Sequence, residues 1–266
     1  MKLKYIDSIL LKNNILTVWE DKNARFRVIF IPLLICVLIP VLLTVSALIF
    51  KDNLYASSLR IFLPESLVSY NNSQTIHYVS TNFICSMLFP IVPIIVSSSC
   101  ASVCLIGEKE NKTIFSLLST PISPYHIIRN KYLSCALLSL GITLISAFCF
   151  FITACVGNIL FSTSFFFDLT WAINFFLFPL AISLFCPLVL TIFFSHFDTK
   201  ESAMKFSYFI VFFLLMFYML EFTGAYKITS HTLLILTGII YLIDIILIFI
   251  AKNRFKPELL IDYKEE

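Results

Sequence analysis

Glycine is scarce in this chain. Five glycines in 266 residues leave no room for a loop that cradles phosphates, and GxxxxGK[ST] occurs nowhere. Nucleotide binding by that route is excluded. Charge is scarce too: 13% of residues are charged against 59% hydrophobic, and mean hydropathy is +0.93. No water-facing domain sustains that balance, so the chain is expected to be an integral membrane protein. Histidine numbers four and never clusters. The only acids inside apolar runs, Glu221 and Asp244, fall in different runs. An intramembrane enzyme would need paired acids or a His-rich site, so no catalytic residue is assigned. Cysteine is present, eight times, within or beside apolar runs. A disulfide framework is not expected, and the i,i+4 pair Cys100 and Cys104 is joined by no His or further Cys at metal-ligand spacing.

Long apolar runs predict an all-α membrane protein, a six-span helical bundle with spans at about 28–50, 79–106, 132–156, 171–194, 206–222 and 233–251. Residues 1–27 form a separate amphipathic segment. In it Tyr5, Ile6, Ile9, Leu10, Leu16 and Trp19 fall at helical spacing with Lys12, Asn13 and Glu20 between them, as in a helix lying at the membrane interface. A solvated basic tail is the plainer reading of the same residues. Residues 252–266 close the chain as a tail. Span 2 carries Pro90 and Pro93, whose freed carbonyls need other partners, so this span should pack against protein or a polar cavity and not against lipid. His77 stands alone and is given no role. Asp244 should face protein or water, because lipid exposure is costly for a carboxylate. Asp244, Glu221, Pro90 and Pro93 are candidate pathway or interhelical positions.

Sixteen of the nineteen Lys and Arg fall on one side of this arrangement: six ahead of span 1, four between spans 2 and 3, two between spans 4 and 5, and four in the tail. The positive-inside rule then places both termini in the cytosol of a multi-pass protein of the cell membrane.

One polar stretch between apolar runs has a helical plan: residues 107–131, GEKENKTIFSLLSTPISPYHIIRNK. Glu108, Lys109, Glu110 and Lys112 are expected to open a helix, with Glu108 and Lys112 spaced i,i+4 to pair. Ile114, Leu117 and Leu118 form its apolar stripe. Pro121 ends it. Ser123 followed by Pro124 predicts an N-cap and the first residue of a second helix, which runs into span 3. The expectation is a cytosolic helix-turn-helix between spans 2 and 3, suited to docking a soluble partner.

This stretch resembles the signature of ABC-2-type transporter permeases: an acidic-Lys-acidic cluster, a Thr, a Leu-Leu pair, Thr-Pro-Ile-Ser, an aliphatic pair and Lys-Tyr-Leu. The matching residues are Glu108, Lys109, Glu110, Thr113, Leu117, Leu118, Thr120, Pro121, Ile122, Ser123 and Lys131. Lys112, Phe115 and Asn130 stand where members commonly carry Gly, an acid and Gly. The resemblance implies a permease subunit that pairs with a second permease subunit, the same chain or a related one, and with two copies of a separate ABC ATPase. That partner would bind the ATP, leaving this chain without a cofactor, a metal or an enzymatic activity of its own. The ATPase-coupling residues would be Glu108, Lys109, Glu110, Thr113, Leu117, Leu118, Pro121, Ser123 and Lys131. Export of a substrate through the interface of the two permease subunits would follow. A small self-protection or regulatory membrane protein, acting by partner binding without transport, has the same hydropathy and remains the alternative. Nothing in the sequence points to nucleic acid.

Overall fold

The computed structural model describes residues 2–49, 59–64, 67, 69–113, 123–163, 169–222 and 228–254. Among these the chain is helical, with no strand. A helix at Lys2–Glu20 precedes six helices long and apolar enough to cross a membrane: Lys22–Ile49, Asn72–Glu110, Pro124–Phe161, Leu169–Ile192, Lys200–Glu221 and Ser230–Asn253. These are spans 1 to 6 below. The expected stripe Ile114, Leu117 and Leu118, and with it Phe115, Thr120, Pro121 and Ile122, lies outside the described residues.

Span 2 is the axis of the bundle. Every residue of its most apolar window is buried, whereas spans 1, 5 and 6 bury only a minor part of theirs. Spans 3, 4 and 5 and the first helical segment of span 1 all pack on it. Large side chains such as Phe209, Phe212, Phe213, Ile235, Leu242 and Phe249 are exposed on spans 5 and 6, as suits helices surrounded by hydrocarbon.

The prolines shape this core, as the sequence indicated. Pro90 has no N–H, so the carbonyl of Ser86 one turn earlier loses its helical partner. Asn174 of span 4 supplies one: its Nδ2 donates to the Ser86 carbonyl at 2.9 Å and to the Ser86 hydroxyl at 2.7 Å. The Tyr218 hydroxyl of span 5 in turn donates to Asn174 Oδ1 at 2.7 Å. The Pro93 carbonyl accepts from Ser139 Oγ of span 3 at 3.2 Å. Both prolines therefore pack against protein. π-turns at Leu34–Leu38 and Ile173–Leu177 lie next to the remaining kinks, the first between Pro32 and Pro40, the second just before Pro179.

Several helix bounds differ from expectation: spans 1 and 5 begin six residues early, at Lys22 and Lys200, and two further shifts lengthen spans 2 and 3. Span 2 begins at Asn72 and span 3 continues to Phe161, each well beyond its hydrophobic window. At 38 to 39 residues they are about 57 Å long, nearly twice the hydrocarbon thickness. The extensions hold each other. His77, fully buried, lies 3.1 Å from Asn158 Oδ1 and stacks on Phe161, and Gln74 donates to the Phe161 carbonyl at 2.9 Å. Gly157 is needed there, since a Cβ would meet His77 Cε1 at 2.3 Å. Hydropathy measures depth in hydrocarbon and is blind to polar helix that continues past it. His77 thus has a structural role that its isolation in sequence concealed.

Candidate functional site: the charged end of span 2

The last turns of span 2 pass through a π-turn, Ser102–Ile106, and a final helical turn, Gly107–Glu110. Lys112 then adopts a left-handed conformation, φ 57°. Its N–H reaches the Lys109 carbonyl at 3.1 Å, and the Thr113 N–H reaches the Glu108 carbonyl at 3.0 Å. This pair of bonds is the Schellman closure of a helix. The expected helix opening at Glu108 is therefore the end of span 2, and the i,i+4 pairing of Glu108 with Lys112 does not form. Gly is the residue best suited to such a left-handed closing position. Lys112→Gly is expected to raise stability by up to about 1 kcal/mol, the relief of left-handed strain, measurable as a higher unfolding midpoint in detergent.

The Glu108, Lys109 and Glu110 side chains diverge to three different neighbours. Glu108 forms an ion pair with Lys131, near the start of span 3, and the same ammonium donates to the Cys104 carbonyl at 2.7 Å. Lys131 is 4% exposed. Lys109 reaches the short turn Phe194–His196 and the residues after it, between spans 4 and 5. Its ammonium donates to the carbonyls of Ser195 at 3.2 Å and Phe197 at 2.8 Å, pairs with Asp198 at 3.1 Å and lies over the Phe194 ring. Asp198 itself is largely exposed, so the pairing contributes little. The carbonyls matter more, because a charged donor shared between two backbone acceptors makes stronger bonds than an exposed ion pair. Glu110 accepts the backbone N–H of Lys200, first residue of span 5, at 3.4 Å. Thr113 caps back onto the Glu108 carbonyl through its hydroxyl at 3.3 Å.

The N-terminal helix joins the same end. Asn14 Nδ2 donates to Ser134 Oγ of span 3 at 2.9 Å, and Cys104 Sγ donates to the Asn14 carbonyl at 3.4 Å. Val18 is buried beside them, while Leu16 and Trp19 are exposed. At the elbow into span 1, Asp21 accepts the Ala24 N–H at 2.9 Å and pairs with Lys200 at 2.8 Å. Burial pushes the Asp21 carboxyl up, but the Lys200 ammonium and the N–H groups of Ala24 and Asn23 outweigh it and hold it below its ordinary value. With the folded value lowered, the contribution of Asp21 is complete above the ordinary carboxylate range and fades as pH falls through the lowered value. Asp21→Asn should therefore lower the unfolding temperature at neutral pH, with the gap to the unmutated chain closing in acid.

Of the remaining candidates, Ser123 precedes Pro124 in an extended conformation at the N-cap of span 3, as expected, though its side chain makes no capping bond. Leu117, Leu118 and Pro121 lie outside the described residues. Glu221 Oε1 accepts the Ile228 N–H at 3.1 Å. Asp244 is buried in the bundle, away from the charged end. Cys135 of span 3 comes against Cys104, a neighbour that chain spacing could not reveal. Even so, no group of His, Cys, Asp or Glu among the described residues is placed to hold a metal ion, and all eight cysteines are free thiols. Sequence reasoning missed Asn174, Tyr218 and Asn14. Its available signal was an amide inside or beside an apolar run, which must find a partner once buried.

No protein-family model, curated protein or solved structure matches this chain.

Proposed function

We propose that the chain is the permease subunit of an ABC-2-type transporter. It would work with a separate ABC ATPase in two copies and a second permease subunit, for export across the cell membrane with both termini cytosolic. One observation carries the reading. Three consecutive charged residues at the end of the central span each bind a different neighbour, span 3, the turn that follows span 4 and the start of span 5. A push on the segment that follows Glu110 is delivered to four spans at once. A loop linked to one helix would dissipate it.

This alters the expected division of labour within the signature. The Glu108 and Lys109 side chains are engaged inside the chain, so they act as the joint that transmits motion and leave contact with the ATPase to the residues beyond Lys112. The N-terminal helix is fastened to the same joint through Asn14 and Ser134, which makes it a second lever at the membrane interface. Lys109→Met tests the assignment. In vesicles containing the partner ATPase, the variant should still copurify with it yet lose the stimulation of ATP hydrolysis that the unmutated chain confers. Full stimulation in a complex carrying Lys109→Met would remove the joint from the mechanism.

A further inference from the structure

Among the described residues, the buried acidic and basic side chains of the bundle each make at least one polar contact, except Asp244. Lys131 has Glu108 and the Cys104 carbonyl, His77 has Asn158, and Glu221 has the Ile228 N–H. Asp244 is 3% exposed, and both its carboxylate oxygens are buried without a hydrogen-bond donor. It lies on the buried stripe of span 6 formed with Leu233, Thr237 and Ala251, against span 4. It is fourteen residues from the start of the helix Ser230–Arg254, about 21 Å along the axis.

Among the described residues no cationic side chain faces Asp244. Span 4, the element packed on span 6, contains no Lys, Arg or His, and its single titratable group is Cys186. That thiol lies near Asp244 and near the hydroxyls of Ser97 and Ser98 of span 2. On span 6 itself the nearest titratable group is Tyr241, whose hydroxyl is directed to the Leu177 carbonyl at 3.4 Å. Cys186 in turn sits in a cluster of apolar side chains from spans 2, 4, 5 and 6, among them Ile94, Ile182, Val211 and Ile240. A bare anion in such a place is far costlier than the neutral acid. A metal or organic cation would need room and further oxygens. Two open grooves among the described residues, about 340 Å³ between spans 3 and 4 and about 230 Å³ between spans 1 and 3, do not include Asp244. A proton needs neither space nor extra ligands.

We propose that Asp244 is a proton-binding site within the membrane. One carboxylate oxygen takes a proton from water, giving the neutral acid that lets span 6 pack on span 4. Loss of that proton leaves a carboxylate that draws the side chain toward water and loosens this contact. The state of one proton thus sets how tightly the outermost span is held. The inference is independent of any ATPase partner, and it stands on burial, on the absence of a donor and on the absence of a facing cation.

Infrared spectroscopy of the full chain in lipid nanodiscs tests it, with aspartate labelled by carbon-13 at the side-chain carboxyl. In mildly acidic buffer the expected result is the carbonyl band of a protonated carboxylic acid lacking a strong hydrogen bond. The label should shift that band, which separates it from Glu221, and Asp244→Asn should abolish it. Raising the pH should replace it reversibly with carboxylate absorption. Labelling in the unmutated chain gives the answer even where the variant fails to fold. No aspartic-acid band in acid, a band that survives Asp244→Asn, or a band that persists unchanged into strong alkali would each overturn the proposal.

Discussion

Glu108→Ala is expected to cost about 3–5 kcal/mol, a loss large enough to unfold a protein of ordinary stability. Its size comes from what the substitution leaves behind. The Lys131 ammonium is buried, and Glu108 is its counter-ion. With the carboxylate gone, the ammonium keeps only the Cys104 carbonyl, which is too little to replace its hydration. Glu108→Lys should be worse still, since two ammonium groups would then share the position. Lys131→Met on its own should cost less than Glu108→Ala, because Glu108 is closer to water and tolerates losing its partner. The double variant Glu108→Ala with Lys131→Met should recover most of the loss, as buried pairs exchanged for apolar residues often do. Denaturant titrations of the four proteins in detergent complete the cycle. Equal costs for the two single variants would show that Lys131 is hydrated and that the pair is an ordinary surface bridge.

Asn174→Leu is expected to cost about 2 kcal/mol, well above the roughly 0.6 kcal/mol of an average interhelical hydrogen bond in a membrane protein. The average is low because most such groups find another partner. Pro90 removes that alternative here. The Ser86 carbonyl cannot return to its own helix, so loss of Asn174 leaves it unsatisfied, and the Tyr218 hydroxyl loses its acceptor at the same time. A paired test isolates the cause: Pro90→Ala, which restores the helical N–H, should shrink the penalty of Asn174→Leu. Unfolding midpoints of the single and double variants measure it. An unchanged penalty in the Pro90→Ala background would mean that Asn174 acts by packing alone.

The number of spans and their order were legible in the sequence, because hydrocarbon imposes uninterrupted apolar runs of fixed length. So was the protein-facing character of span 2, since Pro90 and Pro93 strip partners from carbonyls that lipid cannot replace. The start of span 3 at Pro124 was legible as well, from fixed proline geometry after Ser123. The burial of Asp244 followed from the cost of exposing a carboxylate to lipid. Pairing was not legible. The i,i+4 rule joined Glu108 to Lys112, whereas the chain turns left-handed at Lys112 and Glu108 finds Lys131, 23 positions away. Nothing local in the sequence encodes which of several cations a carboxylate meets once helices pack. The same holds for Lys109 and the carbonyls of Ser195 and Phe197, for Asn14 and Ser134, and for His77 and Asn158. Each is a long-range contact fixed by the register between helices, which hydrophobic periodicity sets for whole faces and not for single polar atoms.

The permease reading meets its most direct test when the tagged chain is purified from the membranes of its own cells in mild detergent and the complex is weighed. Two copies of an ATPase bearing a GxxxxGK[ST] loop are expected for two permease subunits, with ATP hydrolysis that rises when the complex is returned to lipid. A chain that purifies without any nucleotide-hydrolysing subunit, and whose membranes show no nucleotide-driven activity traceable to it, would contradict the account and favour a membrane protein that acts by partner binding alone.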